Sequence, residues 1–347
     1  IIANHSHLRT LMRSLVAFAL ILGTLSGVAR AAELTVYSAR IEDLIKPVFD
    51  RYTEETGTTI RFITDKEGPL LQRLRAEGKS SPADILLTVD AGNLWQAAKL
   101  GVLQPIESET LEKNIPAHLR DKDNNWFGFS IRARTAVYHP GRVKPAELSS
   151  YEDLATAKWK DRLCLRTSKK VYNQSLVAMM TAELGAERTE EVVRGWVANL
   201  ATAPFASGNE VLEAIAAGRC DVGLVNTYYY GRMVRNDPEL PLKLFWLNQK
   251  PSKGKQLAGV HVNVSGAGLT ANSPNKQDAI KFLEWLSSKE AQGLFAALNL
   301  EFPVNPDVEP DPLTAHWGPF KQDQINLSEA GKGQADAVRL MDRSGYR

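Results

Sequence analysis

Three consecutive tyrosines stand where their phenol oxygens could share one ligand. Tyr228, Tyr229 and Tyr230 follow the apolar run CDVGLV directly, and Tyr172 follows a similar run, LCLRT. A neutral phenol only forms hydrogen bonds, but a bound multivalent cation stabilises the phenolate. Phenolate is a hard anionic donor, so two or three of them favour a small trivalent ion such as Fe(III) over Zn²⁺, Mg²⁺ or Ca²⁺.

The spacing of the tyrosines restricts how they can act together. Successive helical residues point about 100° apart, so Tyr228 and Tyr229 can reach one ion only from the first turn of a helix. Tyr230 would then point elsewhere. A tyrosine-rich wall is more often a stacking surface for sugars or amines, or part of a core, and the spacing alone leaves these alternatives open.

The two cysteines are predicted to hold the tyrosine-bearing segments together. Cys164 precedes Tyr172 by eight residues, and Cys220 precedes Tyr228 by eight. Each cysteine lies at the beginning or inside of a strand-like run without a neighbouring metal ligand, so we expect a disulfide between adjacent strands. Two separate buried thiols are the alternative. Paired strands would make both tyrosines leave the same edge of the sheet.

The elements that position these residues alternate between strands and helices. The runs ELTVYSA, TIRFITD and ADILLTV are separated by amphipathic segments with helical spacing, which predicts a parallel sheet flanked by helices. The alternation restarts after NNWFGFSIRARTAVYHP, which predicts a second α/β lobe. Two extended segments, about 128–138 and 259–270, are expected to connect the lobes. Ligands of such sheets bind beyond the carboxyl ends of the strands, here in the cleft between the lobes.

Length and composition agree with two lobes. A chain of 347 residues with 44% apolar residues can fill two hydrophobic cores. The predicted boundaries are 32–131 plus 259–300 for the first lobe and 132–258 plus 301–347 for the second.

Residues 1–31 are predicted to be a cleaved export signal. Arg13 precedes the short apolar run LVAFALIL, and Ala29-Arg30-Ala31 has the small residues of a cleavage site. The chain begins with Ile1, so we expect 1–11 to be an upstream extension, with Met12 as the start. Without the three arginines of this segment, 39 basic residues face 40 acidic ones. Neither a nucleic acid nor a membrane is therefore expected as a partner, and we expect a monomer without a membrane span.

The sequence shows no clear arrangement of catalytic residues. The histidines beyond the predicted export signal are scattered, with no two at ligand spacing, and neither a nucleophile elbow nor a phosphate-binding glycine loop occurs. Asp84 and Asp221 precede apolar runs, where hydrogen bonding at a strand start is more typical than general base catalysis. We therefore predict a binding protein rather than an enzyme.

The chain resembles the periplasmic ferric-ion-binding proteins of ABC-type iron importers. The resemblance runs through VYSAR, ADILLTVDAGNLWQAAKLGVL, FSIRARTAVY, LCLRTSKKVYNQSL and CDVGLVNTYYYGR. It implies the two-lobed periplasmic-binding-protein fold, a periplasmic location and delivery to a permease in the inner membrane. In this family the tandem tyrosine, here Tyr228 and Tyr229, binds Fe(III), and one branch adds the tyrosine that matches Tyr172.

The departures from the family pattern concern the first lobe. Ile41-Glu42 stands where many members have His or His-Tyr, and Val89 stands where some supply a carboxylate. The chain therefore resembles the branch in which three tyrosines hold the ion and a small anion such as carbonate completes the coordination. Glu42 is a possible replacement ligand, although a carboxylate at a helix start is more often a dipole partner.

An anion beside the ion requires positive donors. The resemblance implies that Arg132 binds it, and a planar guanidinium suits bidentate carbonate. Arg134 lies two residues further on the same face of the predicted strand and is a weaker candidate. Ser38 and Arg40 would approach from the opposite lobe, and Arg232 would compensate phenolate charge.

Two other functions stay open at this point. The first is a periplasmic receptor for a small organic solute, such as a polyamine or an organic anion, that stacks on the tyrosines. The second is a tyrosine-ligated iron oxidase. The colour of Fe(III)-phenolate charge transfer would distinguish iron binding from the first.

Overall fold

Strands and helices alternate along the chain in the predicted order. The computed structural model describes residues 32–251 and 257–347, so the predicted export signal lies outside the described residues. The strands are β1 (Glu33–Ser38), β2 (Thr59–Thr64), β3 (Ile85–Val89), β4 (Leu103–Gln104), β5 (Phe127–Tyr138), β6 (Leu163–Cys164), β7 (Val222–Asn226), β8 (Lys243–Phe245) and β9 (Val262–Thr270).

The helices flank these strands, and in the described ranges none is long and apolar enough to cross a bilayer. They are α1 (Glu42–Thr56), α2 (Glu67–Glu77), α3 (Ala91–Lys99), α4 (Glu109–Asn114), α5 (Val171–Leu184), α6 (Ala186–Ala198), α7 (Gly208–Ala216), α8 (Thr227–Asn236), α9 (Lys276–Leu286), α10 (Lys289–Asn299), α11 (Pro312–Ala315) and α12 (Ser328–Arg343).

The strands β5 and β9 are the two predicted crossovers, and they lie side by side in the sheet. The strand order is β2-β1-β3-β9-β5-β7-β6, with β4 beside β9 and β8 beside β5. On one side β9 pairs antiparallel with β3, and on the other β5 pairs antiparallel with β7. In the central antiparallel pair Arg132 is opposite Asn263. A continuous backbone ladder thus connects the two halves of the molecule.

The first core forms where the amphipathic helices cover β1 and β3. Helix α1 buries Ile45, Val48 and Phe49, three of its residues at helical spacing, and it ends at Gly57 in the left-handed conformation. Strand β3 is buried along nearly its whole length, as expected for a strand with helices on both faces.

The second half of the sheet carries apolar side chains on both faces. Along β5, Ala136 and Tyr138 belong to a core with α5, α6 and α12, whereas Val137 belongs to a core with α7 and α8. Alternate residues of a strand point to opposite faces, so this is a three-layer α/β arrangement.

Two details differ from the sequence-based expectation. The spacing of apolar residues over 276–298 predicts a single helix, but two helices form, because the Ser288 side chain accepts a hydrogen bond from the backbone N–H of Ala291 and starts a new helix there. The C-terminal segment 301–347 contributes to both cores rather than to the second alone. Phe302 packs in the first core and Leu340 in the second. The lobe boundaries stay a prediction.

Candidate metal and anion site

The tandem tyrosines begin a helix, as their spacing required. Strand β7 ends at Asn226 and α8 begins at the next residue, so Tyr228 and Tyr229 occupy its first turn. Their ring centroids lie 4.4 Å apart, and both rings line the cleft. The hydroxyl of Tyr230 instead donates a hydrogen bond to the carbonyl of Leu242 at 3.2 Å. The third tyrosine of the row is therefore a packing residue.

Tyr172 reaches the same site from the neighbouring strand. It is the second residue of α5, which follows β6 after a short loop. Strands β6 and β7 run parallel, and the predicted disulfide between Cys164 and Cys220 is confirmed, with Cα atoms 5.9 Å apart. Helices α5 and α8 therefore start at the same edge of the sheet, and their tyrosines converge.

The guanidinium of Arg132 lies between these tyrosines. Its Nη1 donates a hydrogen bond to the Tyr172 hydroxyl at 3.3 Å, and its Nη2 donates to the carbonyl of Val264 at 3.4 Å. The guanidinium carbon is 5.1 Å from the Tyr172 ring centroid and 6.0 Å from that of Tyr228. The Nε of this buried side chain has no hydrogen-bond partner. Arg132 is thus a buried cation with long, incomplete hydrogen bonding.

Burial and this cation act in opposite directions on the two phenols. Burial raises the pKa of Tyr172, but the positive charges of Arg132 and Lys170 outweigh it and hold the pKa below its usual value. The pKa of Tyr228 is raised by its burial and by the adjacent Tyr172. Burial opposes the charge of Arg132, yet the neighbouring phenols raise its pKa. Of the two phenols, Tyr172 therefore gives up its proton more readily than Tyr228.

Two further cations of the site did not emerge from the sequence analysis. Nη1 of Arg166 donates a hydrogen bond to the Tyr229 hydroxyl at 3.1 Å, and Nζ of Lys170 lies 4.9 Å from the Tyr172 ring centroid. Both belong to the basic stretch RTSKK between β6 and α5. This basic stretch was the sequence feature that could have indicated the two cations. A basic loop alone, however, does not distinguish a binding site from a solvated turn.

Arg232, which was predicted to compensate phenolate charge, lies over one ring of the tandem tyrosine. Its guanidinium carbon is 4.9 Å from the ring centroid of Tyr228. Among the described residues, no carboxylate lies within 4.0 Å of the cationic groups of Arg132, Arg166, Lys170 or Arg232. These four cations of the tyrosine wall therefore form no close ion pair.

The opposite wall of the cleft comes from the first half of the chain. The cavity has a volume of about 540 Å³. Most of its remaining lining residues end or follow β1, β2 and β3, and one follows α10; they are Ala39, Arg40, Ile41, Leu44, Thr64, Asp65, Lys66, Glu67, Val89 and Glu301. In the part of the chain that is described, no group of three His, Cys, Asp or Glu side chains could hold a metal.

The predicted anion donors of this wall are already engaged. Nη1 of Arg40 is 3.1 Å from a carboxylate oxygen of Glu301, and Nη2 donates to Asn299 at 2.8 Å. Arg40 also donates to the hydroxyl of Ser265. Ser38 is fully buried, and its hydroxyl accepts the backbone N–H of Arg40 at 3.1 Å. Arg40 reaches the cleft as half of an ion pair, whereas Ser38 does not line it.

Glu42 and Arg134 also lie away from the cavity. Glu42 is exposed in the first turn of α1, where a carboxylate suits the helix dipole, and it does not line the cleft. Arg134 is buried and donates to the side-chain oxygens of Asn173 and Asn226, the latter at 3.0 Å. Arg134 therefore holds in place two residues that neighbour the tyrosines in sequence. It does not line the cavity.

Residues 38–293 match the family of bacterial extracellular solute-binding proteins. The chain belongs to this family. The match covers most of the described chain, and it confirms the predicted class of a binding protein rather than an enzyme.

The relatives agree with the resemblance seen in the sequence. The chain is 41% identical to iron uptake protein A1 of Synechocystis over 91% of its own length and 88% of that protein. It matches a Trichodesmium protein in complex with iron and citrate, with a TM-score of 0.86 and 42% identity over 91% of this chain and 100% of that one. It also matches the open form of Mannheimia haemolytica ferric iron-binding protein A, with a TM-score of 0.84 and 36% identity over 91% and 99% of the two chains. These structures confirm the predicted two-lobed fold.

Proposed function

We propose that the protein captures Fe(III) in the periplasm with the phenolates of Tyr172, Tyr228 and Tyr229. A small anion held by Arg132 completes the coordination. The loaded protein then delivers the ion to an ABC-type permease in the inner membrane. The family and the iron-related names of the relatives support the class of cargo.

The convergence of three phenols in one cleft, two of them beside a buried guanidinium, carries this proposal. Arg132 contacts the Tyr172 hydroxyl and lies over the rings of Tyr172 and Tyr228. A hard trivalent cation is the partner that best stabilises several phenolates together. The buried Nε of Arg132 lacks a partner, and a bound oxyanion would supply one.

The charge of the site supports an anion with more than one negative charge. Three phenolates formally balance one Fe(III), so they leave the cations Arg166, Lys170 and Arg232 without a close anion, while Asp90 and Glu301 act on Arg132 from beyond ion-pair distance. Carbonate contributes two negative charges, and a tricarboxylate contributes three. The similar Trichodesmium protein is described with iron and citrate. The proposed anion is therefore carbonate or a small carboxylate that fits the cleft of about 540 Å³.

A receptor for a small organic anion without iron is the second candidate. The volume of the cleft and its four cations without a close ion pair favour an organic anion as the ligand. The same cations would repel a polyamine. The two candidates differ in their requirement for the metal. If the organic anion is the cargo, citrate alone should bind as tightly as it does with Fe(III).

The test replaces phenol oxygens while it keeps the rings. The Tyr228→Phe, Tyr229→Phe double variant and Tyr172→Phe should fold, lose visible charge-transfer absorption and bind Fe(III) more weakly. Tyr230→Phe is the matched control, because its hydroxyl bonds the Leu242 carbonyl outside the cleft. It should retain both colour and affinity. Unchanged iron binding in the double variant would contradict the proposal.

A further inference from the structure

We propose that Asp90 is a positioning residue that fixes Tyr172 and Arg132 relative to each other. It acts through Ser175 and Asn263 and does not touch the cargo. The inference rests on the proposed function, because it concerns the geometry of the same site. Its basis is the placement of one buried carboxylate at the junction of three elements.

The carboxylate of Asp90 is fully buried and accepts three hydrogen bonds. The Ser175 hydroxyl donates to Oδ1 at 2.7 Å, and the Asn263 amide donates to Oδ2 at 2.9 Å. The backbone N–H of Gly92 donates to Oδ1 at 2.9 Å, which caps α3. No cationic side chain of the described residues forms an ion pair with it within 4.0 Å, although the positive charge of Arg132 acts on it from further away. Neutral donors therefore hold this charge.

Each of these partners leads to a different part of the site. Ser175 lies three residues after Tyr172 in α5, so both are on one side of that helix. Asn263 faces Arg132 directly in the β5–β9 ladder. Asp90 itself follows Val89, whose side chain lines the cleft from the first half of the chain. One carboxylate thus joins the tyrosine helix, the arginine strand and the opposite wall.

The backbone of Asp90 adds an independent observation. Its φ is 75° and its ψ is 125°, a conformation that a residue with a side chain rarely adopts. Such a conformation is strained for a residue with a side chain and persists only where the surroundings determine it fully. A cap for α3 alone does not require it, since ordinary caps have extended backbones. The conformation turns the carboxylate toward Ser175 and Asn263.

Asp84, at the other end of β3, provides a matched control. It is also fully buried, and its Oδ1 accepts the Ser273 hydroxyl at 2.7 Å, the same distance as in the Ser175–Asp90 pair. The backbone N–H of Thr35 donates to its Oδ2 at 2.9 Å. None of these residues lines the cleft. Both aspartates are buried and accept a serine hydroxyl at the same distance, but only Asp90 is connected to the tyrosine site.

The experiment compares Asp90→Asn and Ser175→Ala with Asp84→Asn and Ser273→Ala in the full chain, loaded with Fe(III) in bicarbonate buffer. All four variants should lose stability. Only the first two should shift the visible band and weaken Fe(III) binding, on the order of tenfold, as outer partners of metal ligands do. Ser175→Ala removes a single hydrogen bond and should fold more readily. It therefore tests the positioning role of Asp90 even if Asp90→Asn does not fold.

The outcomes separate the two proposals. If the wild type binds Fe(III) and the Asp90 and Ser175 variants show the same band and affinity as the Asp84 and Ser273 variants, Asp90 has a purely structural role and this inference is wrong. If the wild type binds no Fe(III), the proposed function fails and the inference fails with it.

Discussion

Arg132 is the residue on which the chemistry of the site depends most. A buried guanidinium with long hydrogen bonds and a free Nε is costly in an apolar interior unless a ligand satisfies it. In the structure, the phenol of Tyr172 supplies part of the hydrogen bonding that the guanidinium needs. A bidentate oxyanion would supply the remainder, because its two oxygens match the planar fork of the guanidinium.

We predict that Arg132→Lys weakens Fe(III) binding and shifts the visible band, although no proposed iron ligand changes. Lysine keeps the charge but loses the planar fork, so a bidentate anion is held less well. The measurement is an Fe(III) titration with and without bicarbonate at equal pH. Arg142→Lys serves as control, since Arg142 pairs with Asp221 outside the cleft at 2.9 Å. Equal affinity and spectra of Arg132→Lys and wild type in both buffers would exclude a synergistic anion at Arg132.

At the scale of elements, the start of α7 packs against the second tyrosine. A Cβ atom added to Gly208 would lie 2.6 Å from the ring of Tyr229. The backbone of Gly208 is otherwise ordinary for a helix start, so the missing side chain serves the close approach of the ring. Helices α7 and α8 thus determine how far Tyr229 extends into the cleft.

We therefore expect Gly208→Ala to displace the Tyr229 ring and to lower Fe(III) affinity while the fold is retained. The ring lines an open cleft and can move at little cost, unlike a backbone group. Gly293→Ala is the control, because no atom would come within 4 Å of its Cβ. It should stabilise the chain by about 0.5–1 kcal/mol through its helix propensity and leave the visible band unchanged. A band shift in both variants, or in neither, would refute this assignment.

The disulfide acts at the same scale on strands β6 and β7. It joins residues 56 positions apart, for which the chain-entropy model gives about 4 kcal/mol of stabilisation. Strand β6 has only two residues and forms few ladder hydrogen bonds of its own. The covalent bond therefore keeps the two tyrosine-bearing loops together at a point where the sheet is weakest.

At the scale of the whole molecule, the crossover that joins the two halves contains a buried histidine. His261 directly precedes β9, and its Nδ1 has no hydrogen-bond partner. Burial and the positive charge of Arg134 lower the pKa of His261 from 6.5 to about 3. The unfolded chain binds this proton at higher pH than the folded one. The contribution of His261 to stability is present above about pH 6.5 and is lost as the pH falls toward about 3.

We predict that His261→Asn makes the loss of stability between about pH 7 and about pH 4 less steep than in the wild type. Glu183 works in the opposite direction, since burial and Asp323 raise its pKa to about 7, but the same contribution is present in both proteins and cancels. The measurement is the urea midpoint as a function of pH. The exposed His316 gives a control variant, His316→Asn, with an unchanged slope. A wild-type slope in His261→Asn would contradict the prediction.

The sequence by itself determined the repeating elements and the placement of the tyrosines. Periodicity of apolar residues predicted the α/β lobes and both crossovers, because helix and strand spacing is a local property. The placement of Tyr228 and Tyr229 in one helical turn, with Tyr230 turned away, followed from the helical rotation per residue. The disulfide followed from matched spacing and the predicted export.

Only the tertiary structure decided which charged residues reach the cleft. Arg132 and Arg134 have the same type and the same strand face, yet one lies in the cavity and the other is buried among asparagines. Arg166 and Lys170 reach the tyrosines because a short loop folds back over them, and Arg40 is paired by the distant Glu301. Such contacts depend on the packing of elements far apart in the chain. Spacing along the sequence contains no information on such contacts, which is why Arg132 and Arg232 were named in advance whereas Arg166 and Lys170 were not.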